Sequence, residues 1–580
     1  MIDFLKELNE PQQKAVEYTG GPMMVIAGAG SGKTRVLTYK VAYLIHSGLD
    51  PFNILALTFT NKAAREMKSR VHQLLGSSDA RNVWMGTFHS VFARILRAEG
   101  HRLGYPANFT IYDTDDSKSL IRSIVKTMNL DPKTYTASYV LCRISSAKTS
   151  LVSAAEYKNS FEAVQQDQLA GKPFIKDIYQ RYAAACFKAT AMDFDDLLFN
   201  TNILLRDNPD VLLKYQNKFR YILVDEYQDT NYAQYVIVKK LAANDENICV
   251  VGDDAQSIYG FRGANIQNIL NLKTDYPDLV VFKLEQNYRS TQNIVNAANS
   301  IIKKNRDQIS KTIWTSNDTG EKIMIEKVNN DNEEGVFVAR NIFDIKMNQQ
   351  RQNVDFAVLY RTNAQSRPIE QALRRMNIPY RIYGGLSFYH RKEIKDLLAY
   401  FRIVVNPNDD EALKRIINYP PRGIGKTTME KLAIVSNENN CSLWQVISNP
   451  GHYNHGLFQG TVAKTTAFYT TIKACQVQLL KKDAYELGKM IAASSGMLRN
   501  LGNDTTPEGV SRAQNIEELL NGLKEFTETE RPQDEVQDTP FRTLNEFMQE
   551  VALLTDQDTG NKDDDDNDKV TLMTIHAAKG

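Results

Sequence analysis

The sequence predicts an α/β protein whose parallel sheets are covered by helices on both faces. Short, unbroken apolar runs recur: MMVIAG from 23, ILALTFT from 54, YILVDE from 221, ICVVGDD from 248 and VVFKLE from 280. A strand that is apolar without alternation is buried on both sides, which is typical of parallel sheets. After the second run comes one apolar helical stripe, as a crossover helix requires. Its members are Ala64, Met67, Val71, Leu74 and Leu75.

Two interruptions divide this pattern. Residues 108–191 show helical patterns without buried strands, so we interpret them as a helical insertion. A second α/β signal follows in KIMIEKV, DFAVLY and YRIYGG, then more helices, and VTLMTI near the end resumes the strand pattern. We therefore predict two α/β domains, each with a mostly helical insertion. The first domain comprises residues 1–107 and 192–281, and its insertion is 108–191. The second domain comprises residues 282–386 and 568–580, and its insertion is 387–567.

Composition narrows the class of protein. The 580 residues carry a net charge of +1, and no apolar run approaches the ~20 residues that span a bilayer. The five cysteines show no CxxC spacing, so we expect a reducing, cytoplasmic setting without disulfides or a zinc site. Two acidic runs, 525–539 and 558–569, carry −5 and −4, and the remainder carries about +10. That balance permits a polyanionic partner.

A phosphate-binding loop is predicted in VIAGAGSGKTR, a glycine-rich turn between a buried strand and a helix. Backbone N–H groups of such a turn wrap a β-phosphate, and the helix N-terminus adds positive potential. Lys33 would reach the β- and γ-phosphates, and the Thr34 hydroxyl would ligate Mg²⁺. Ala27 stands where the strict GxxxxGK[ST] pattern has Gly. The predicted loop residues are Ala27, Gly28, Ala29, Gly30, Ser31, Gly32, Lys33, Thr34 and Arg35.

The run YILVDEYQD supplies the acidic half of the site. A buried strand that ends in adjacent carboxylates places Asp225 at the sheet edge, where it can hold Mg²⁺. Glu226 then lies where it can polarise an attacking water. Because a water rather than a substrate hydroxyl would be activated there, this arrangement favours hydrolysis of ATP over kinase chemistry.

Further motifs carry a family resemblance across residues 8 to 580. These are LNEPQQKAV, TFTNKAAREM, GTFHSVFARIL, FDDLL, VVGDDAQSIYGFRGA, LEQNYRSTQNI, YRTNAQSR and RKEIKDLLAYFR, in that order. Together they resemble the UvrD/PcrA/Rep-type DNA helicases of superfamily 1. The resemblance implies two RecA-like P-loop domains, each with an insertion, and an ATP-dependent helicase that translocates 3′ to 5′ on single-stranded DNA in repair or replication.

The resemblance also assigns nucleotide contacts. Gln12 would read the adenine edge, while Tyr288 and Arg35 would hold the base from opposite sides. Gln256 would touch the γ-phosphate or the attacking water and couple nucleotide state to DNA grip. Arg289 resembles an arginine finger delivered from the second α/β domain, with Arg262 as a second γ-phosphate contact. ATP and Mg²⁺ are the implied cofactors.

The implied DNA contacts fall into three sets. Phe59, Tyr259 and Phe261 would stack on bases, although the family usually has Trp where this chain has Phe261. The implied backbone contacts are Asn61, Thr87, His89, Arg361 and Asn363. In YPPRGIGKTTMEKL, a Gly-Ile-Gly turn between helices resembles the family's duplex-contacting site. Its implied residues are Gly423, Gly425, Lys426 and Thr427.

Several expectations stay open at this point. The closing TIHAAKG is the first half of a family motif, so we expect a fragment of a longer helicase with an incomplete second domain and slowed hydrolysis. The expected partners are single-stranded DNA, single/double-strand junctions, and repair or replication proteins, with no membrane. Alternatives are a catalytically weak DNA-binding module, a subunit of a helicase–nuclease complex and a nucleotide kinase.

Overall fold

The computed structural model describes residues 3–76, 78–305, 308–383, 388–504, 506–529, 539–554 and 568–579. Most of both acidic runs and the final Gly580 lie outside these residues. The strands are β1 Met23–Ala27, β2 Ile54–Thr58, β3 Trp84–Thr87, β4 Thr110–Tyr112, β5 Ala191–Asp193, β6 Tyr221–Val224, β7 Ile248–Gly252, β8 Val280–Leu284, β9 Ala357–Tyr360, β10 Tyr380–Tyr383 and β11 Val570–Thr574.

The first sheet is parallel throughout, in the order β3-β2-β6-β7-β1-β8. Successive side chains of β1 point into two separate cores, one on each face of the sheet. Met24 and Ile26 pack on one face, while Met23 and Val25 pack on the other. Strands β1, β2, β6 and β7 are buried along their whole length, which confirms the prediction from unbroken apolarity for these four runs. For the fifth run the prediction is wrong, because β8 is an edge strand of the sheet and exposes Val281 and Lys283.

Helices cover both faces of this sheet. In α3 the predicted stripe is correct: Ala64, Met67 and Val71 are buried, and Leu74 and Leu75 are half-buried. The helices around the first sheet are α1 Glu10–Glu17, α2 Lys33–His46, α3 Asn61–Leu75, α4 Phe88–Glu99, α10 Phe194–Asp207, α11 Pro209–Lys218, α12 Tyr232–Ala242, α13 Gln267–Leu270 and α14 Leu272–Asp275.

The first insertion is helical but is closed by a short pair of strands. The helices are α5 Thr114–Thr127, α6 Ala137–Thr149, α7 Ala154–Asn159, α8 Phe161–Leu169 and α9 Ile175–Lys188. Contrary to the prediction of no buried strand, β4 and β5 are both buried and pair in parallel, with Thr110 opposite Ala191. Strands of three residues are too short to give a periodic signal, and their pairing is long-range.

The second sheet is smaller, parallel and ordered β10-β11-β9. Its helices are α15 Gln292–Ile302, α16 Asp331–Gln349, α17 Ser366–Arg375 and α27 Ile575–Lys579. The predicted strand in KIMIEKV (322–328) is wrong, because the structure places these residues outside any strand with Ile325 90% exposed. An apolar run becomes a strand only when a partner strand accepts its hydrogen bonds. Strand β8 belongs to the first sheet, so the predicted boundary at 281/282 falls inside it.

The second insertion has its own apolar core. Its helices are α18 Lys392–Val405, α19 Asp410–Ile416, α20 Lys426–Glu438, α21 Leu443–Ser448, α22 Gln459–Gln476, α23 Ala484–Ser494, α24 Met497–Gly502, α25 Pro507–Glu528 and α26 Leu544–Ala552. Among the described residues, we find no helix with the length and apolarity needed to cross a bilayer.

The two insertions meet through ion pairs at a mostly buried interface, in which the Asp409 side chain is 0% exposed and those of Arg402 and Asp116 are 16% and 19% exposed. Arg402 of α18 contacts Asp116 of α5 and Asp409, both at 2.7 Å. Tyr112 donates to the same Asp409 at 3.2 Å, and Lys395 contacts Asp113 at 2.9 Å. Burial raises the pKa of Asp116 to about 7, although Arg402 opposes that rise. Arg402 therefore supplies the positive charge that faces both of these carboxylates.

We expect Arg402→Met to destabilise the protein by about 3–5 kcal/mol at about pH 8, because it removes the cation from the buried Asp409 and the mostly buried Asp116. The loss should shrink at about pH 5.5. With its pKa raised in the folded state, Asp116 takes up a proton there first, and stability is lost as pH rises through that pKa. Urea denaturation at both pH values measures the effect. Lys126→Met, which breaks the exposed contact with Glu430, is the control and should change nothing measurable.

Candidate active site

The predicted phosphate loop joins β1 to α2 and leaves the start of that helix open. Gly30 and Gly32 have φ of 68° and 87°, in the left-handed region that favours glycine. The Ser31 hydroxyl donates to the Gly28 carbonyl at 2.7 Å and closes the turn. Gly32 caps α2 without any side-chain hydrogen bond. The first amides of α2 are therefore free to bind an anion such as a phosphate.

The groups expected at the phosphates and Mg²⁺ converge beside this loop. The Lys33 ammonium lies 4.0 Å from the Asp253 carboxylate. The Thr34 hydroxyl donates to Asp225 at 3.5 Å. Burial raises the pKa of Asp225 to about 7, the Glu226 carboxylate adds to the rise, and Lys33 opposes it. A hydroxyl next to a carboxylate is the hard oxygen set that suits Mg²⁺ held together with substrate phosphates.

Glu226 is held in an unusual conformation. Its φ of 51° is left-handed, which is uncommon outside glycine and often found at functional sites. The Gln228 amide donates to the Glu226 carboxylate and, at 3.2 Å, to Asp229. The Gln228 oxygen accepts from the Asp253 backbone N–H at 2.9 Å. Gln228, fully buried, thus orients the predicted water-activating carboxylate.

Gln12 and its neighbours form the side of the site predicted to hold the base. The Gln12 amide donates to the Ser31 carbonyl at 3.0 Å, and its oxygen accepts from the Asn9 backbone at 3.2 Å. Asn9 also donates to the Tyr288 hydroxyl at 2.6 Å. Arg35 is tied to Glu7 at 2.8 Å. These residues surround one end of the phosphate loop, so their predicted roles at the base remain compatible with the geometry.

Arg289 lies directly against the phosphate loop. The Tyr288 backbone N–H donates to the Gly30 carbonyl at 3.0 Å. A Cβ built on Gly30 would come within 2.8 Å of the Arg289 Cβ. Asn287, 4% exposed, fixes this contact by donating to Ala29 at 2.6 Å and accepting from the Arg289 N–H at 2.8 Å. The arginine thus reaches the loop from the segment that follows β8, a strand of the first sheet.

Gln256 lies next to the carboxylates near Lys33, and its role at the γ-phosphate or the attacking water stays a prediction. Its amide donates to Asp253 at 2.6 Å, the same carboxylate that lies 4.0 Å from Lys33. Arg262 lies elsewhere. Together with Phe59 and His89 it lines a cavity of about 460 Å³ between the first sheet and both insertions. Its role at the γ-phosphate stays a prediction.

Two of the residues predicted to contact DNA, Phe59 and His89, line that cavity, and two others, Asn61 and Thr87, adjoin its lining residues in the chain. Burial lowers the pKa of His89 to about 4, so at neutral pH its imidazole is an uncharged hydrogen-bonding group. The Thr87 hydroxyl caps α4 by accepting from the Ser90 N–H at 3.2 Å. Asn61 donates to the Leu553 carbonyl, just after α26, at 2.9 Å. The Thr87 and Asn61 polar groups are thus engaged inside the protein in this state.

A second group of predicted DNA contacts collects where the two sheets meet. Phe261 is 67% exposed, and its ring centroid lies 5.1 Å from that of His576. Arg361 contacts the same His576 at 3.4 Å. Asn363 lies two residues after Arg361, beyond the end of β9, and is exposed. Tyr259 is only 2% exposed and stacks on Phe59 at 5.0 Å. In this state Tyr259 supports its aromatic neighbours rather than presenting an open face.

The Gly-Ile-Gly turn forms a third, separate surface in the second insertion. Gly423 has a φ of 69°, and the Asn418 side chain accepts from the backbone of Arg422 and Ile424 at 2.9 and 3.1 Å. Helix α20 begins at Lys426 after Gly425, which makes no side-chain cap. Lys426 and Thr427 are exposed there. The turn can therefore offer backbone amides to a phosphate.

Four residues of these networks were missed as site residues in the sequence: Gln228, Asn287, His576 and Lys579. The Lys579 ammonium donates to the Asp229 carboxylate and to the Gln256 carbonyl. All four stand inside quoted motifs, as Gln in YILVDEYQD, Asn in LEQNYRSTQNI, and His and Lys in TIHAAKG. A buried-strand signal followed by polar residues could have selected them. Their partners, however, come from distant parts of the chain.

Comparison with protein families agrees with this geometry. Residues 8–277 match the UvrD/REP helicase N-terminal domain, and residues 282–580 match the UvrD-like helicase C-terminal domain. The chain belongs to the UvrD/REP helicase family. The predicted family and the two-sheet α/β fold are thereby confirmed.

Relatives of this UvrD-like helicase are similar over its whole length. ATP-dependent DNA helicase PcrA of Bacillus subtilis is 44% identical over 584 residues, covering 99% of this chain and 76% of the relative. The PcrA helicase of Staphylococcus aureus is 42% identical over 581 residues, covering 100% and 77%. That of Leuconostoc citreum is 40% identical, covering 99% and 75%. These matches contradict the nucleotide-kinase alternative.

Proposed function

We propose that this helicase uses the hydrolysis of Mg²⁺–ATP to move 3′ to 5′ along single-stranded DNA and to open the duplex at a junction. Membership of the UvrD-like helicases and similarity to ATP-dependent DNA helicases support the ATP-driven activity on DNA. The finer points come from the sequence: the polarity, the role of Mg²⁺, the single-strand track and the partners in repair or replication. The cytoplasmic setting also stays a prediction.

One observation supports the coupling of ATP to movement: the phosphate site and the aromatic DNA site share neighbouring residues. Gln256 contacts the carboxylate beside Lys33, and three residues later Tyr259 stacks on Phe59. Loops that close around a nucleotide at one end of this segment therefore shift the DNA-contacting rings at the other. Closure of two α/β units around a ligand is an established way to convert binding into motion.

The test is strand displacement by the purified chain. We expect ATP-dependent release of the short strand from a duplex with a 3′ single-stranded tail, and little release from the matched duplex with a 5′ tail. Lys33→Ala should abolish both release and ATP hydrolysis, because the phosphates lose their cation. Equal use of both tails would contradict the polarity. ATP hydrolysis that single-stranded DNA does not stimulate would contradict the proposed function itself.

A further inference from the structure

We propose that Lys311 is a positioning residue: it neutralises Asp253 and so keeps the Lys33 ammonium free for the nucleotide phosphates. The inference rests on the proposed function, because it concerns the same nucleotide site. It gives a task to residues 309–314, which lie outside the motifs quoted above.

Lys311 lies between two adjacent carboxylates. Its ammonium contacts Asp253 at 3.0 Å and also contacts Asp254. The three side chains are buried, with exposed fractions of 7%, 3% and 0% in the order Lys311, Asp253, Asp254. Burial alone would lower the pKa of Lys311, but the two carboxylates together outweigh burial and raise it. Lys311 is therefore charged at neutral pH.

Asp253 stands between Lys311 and Lys33. One of its oxygens faces Lys311 and accepts from the Ala255 backbone N–H at 3.2 Å. The other accepts from the Gln256 amide at 2.6 Å and lies 4.0 Å from the Lys33 ammonium. A distance of 4.0 Å is too long for a hydrogen bond. Lys33 therefore faces this carboxylate without being held by it.

The charge of Asp253 decides where the Lys33 ammonium goes. A buried carboxylate that loses its cation is costly, so it attracts any other cation within reach. Among the described residues, Lys33 and Lys311 are the two cations within 4.0 Å of Asp253. Without Lys311, a shift of about 1 Å would bring Lys33 into hydrogen-bond range of Asp253. ATP would then have to compete with that carboxylate for the lysine.

Backbone contacts fix residues 309–314 in the place from which Lys311 reaches Asp253. The Trp314 N–H donates to the Glu285 carbonyl, just after β8, at 2.9 Å. The Ile313 side chain lies against the phosphate loop, since a Cβ built on Gly28 would come within 2.1 Å of it. The ammonium is therefore delivered from a fixed backbone that also covers the phosphate loop.

The test is Lys311→Met in the full 580-residue chain, with a fluorescent ATP analogue and Mg²⁺ as the probe. We expect affinity for the analogue to fall about tenfold, a coupling typical of neighbouring residues, and KM for ATP to rise in step. The change in kcat should stay below about threefold, because saturating ATP wins Lys33 back from Asp253. Lys311→Arg, which retains the charge, should recover most of the affinity. Lys304→Met, at an exposed lysine just after α15, is the matched control and should change nothing.

Two double variants identify the carboxylate that captures Lys33. Asp253→Asn with Lys311→Met removes the carboxylate beside Lys33, so affinity should return to within about threefold of wild type. Asp254→Asn with Lys311→Met removes the neighbouring carboxylate instead, and affinity should stay low. Both double variants have the same net charge, so their comparison stands even where Lys311→Met alone folds poorly. Equal recovery in both would show that only net charge matters and would overturn the inference.

A further pair of variants shows whether Lys33 is the mediator. In a Lys33→Ala background, Lys311→Met should lower affinity no further, because no ammonium is left for Asp253 to capture. An equal loss in both backgrounds would overturn the inference alone, with wild-type binding and DNA-stimulated hydrolysis intact. A wild-type chain whose hydrolysis single-stranded DNA does not stimulate would refute the proposed function. A wild-type chain that does not bind the analogue would refute both.

Discussion

Replacing Arg289 with Ala is expected to lower kcat for ATP hydrolysis by about 10³–10⁵-fold, the range typical of an arginine finger. The reason is geometric. Asn287 fixes the Arg289 backbone against Gly30, so the side chain starts beside the glycine-rich loop that is predicted to bind the phosphates. Within the described residues no carboxylate pairs with its guanidinium. The positive charge is therefore available to stabilise the negative charge that develops in the transition state. Steady-state hydrolysis with saturating oligo(dT) measures the loss.

Controls for Arg289→Ala separate chemistry from binding. Binding of a fluorescent ATP analogue should weaken far less than kcat falls, because the finger stabilises the transition state more than the bound nucleotide. Arg340→Ala, which removes an exposed arginine from α16, should leave kcat unchanged. Less than a tenfold fall in kcat for Arg289→Ala would show that another cation serves the γ-phosphate, and Arg262 would be the first to examine.

Replacing Glu226 with Gln is expected to lower kcat by about 10²–10⁴-fold, the usual contribution of a general base. ATP binding should be preserved. The substitution removes the like charge that helps raise the pKa of Asp225, so Asp225 becomes a better anionic ligand for Mg²⁺. Rapid-quench hydrolysis in a single turnover, compared with nucleotide affinity, distinguishes the two effects.

The chain offers a close control for Glu226→Gln. Glu246 is also a glutamate with a left-handed backbone, φ 50°, but it is exposed before β7. Glu246→Gln should leave hydrolysis unchanged. It controls for any loss that comes only from replacing a glutamate whose backbone is left-handed. If Glu226→Gln hydrolyses ATP within threefold of wild type, Glu226 does not activate the water. Gln256, which can orient a water but cannot deprotonate it, would then be examined next.

Local signals allowed much of the nucleotide site to be predicted. Four predicted site residues follow a buried strand within a few residues: Lys33 and Thr34 after β1, and Asp225 and Glu226 after β6. Parallel strands bring such ends to one edge of the sheet. The stripe through Met67 was predictable for the same reason, because its 3.6-residue period is contained in one helix. These inferences need only the sequence neighbourhood of each residue.

Long-range contacts account for what was missed. Strands β4 and β5 pair across the whole first insertion, and the run at 322–328 stays outside any strand although its composition favours one. Asn61 likewise bonds to Leu553, just after α26. Tyr259 bonds to His576. Arg262 lines a cavity to which both insertions contribute. No window of local sequence contains both partners of these contacts.

By itself, the sequence determined the two α/β units, the phosphate loop, the acidic strand end and the helicase family, because each is written in contiguous residues with a fixed period or spacing. Only the tertiary structure decided which side chains from distant parts of the chain touch each other. Asn287 on the phosphate loop and Lys579 on Asp229 and Gln256 are the chief examples. Such contacts arise when burial of two apolar cores brings distant loops together, and a buried charge must then find its partner there.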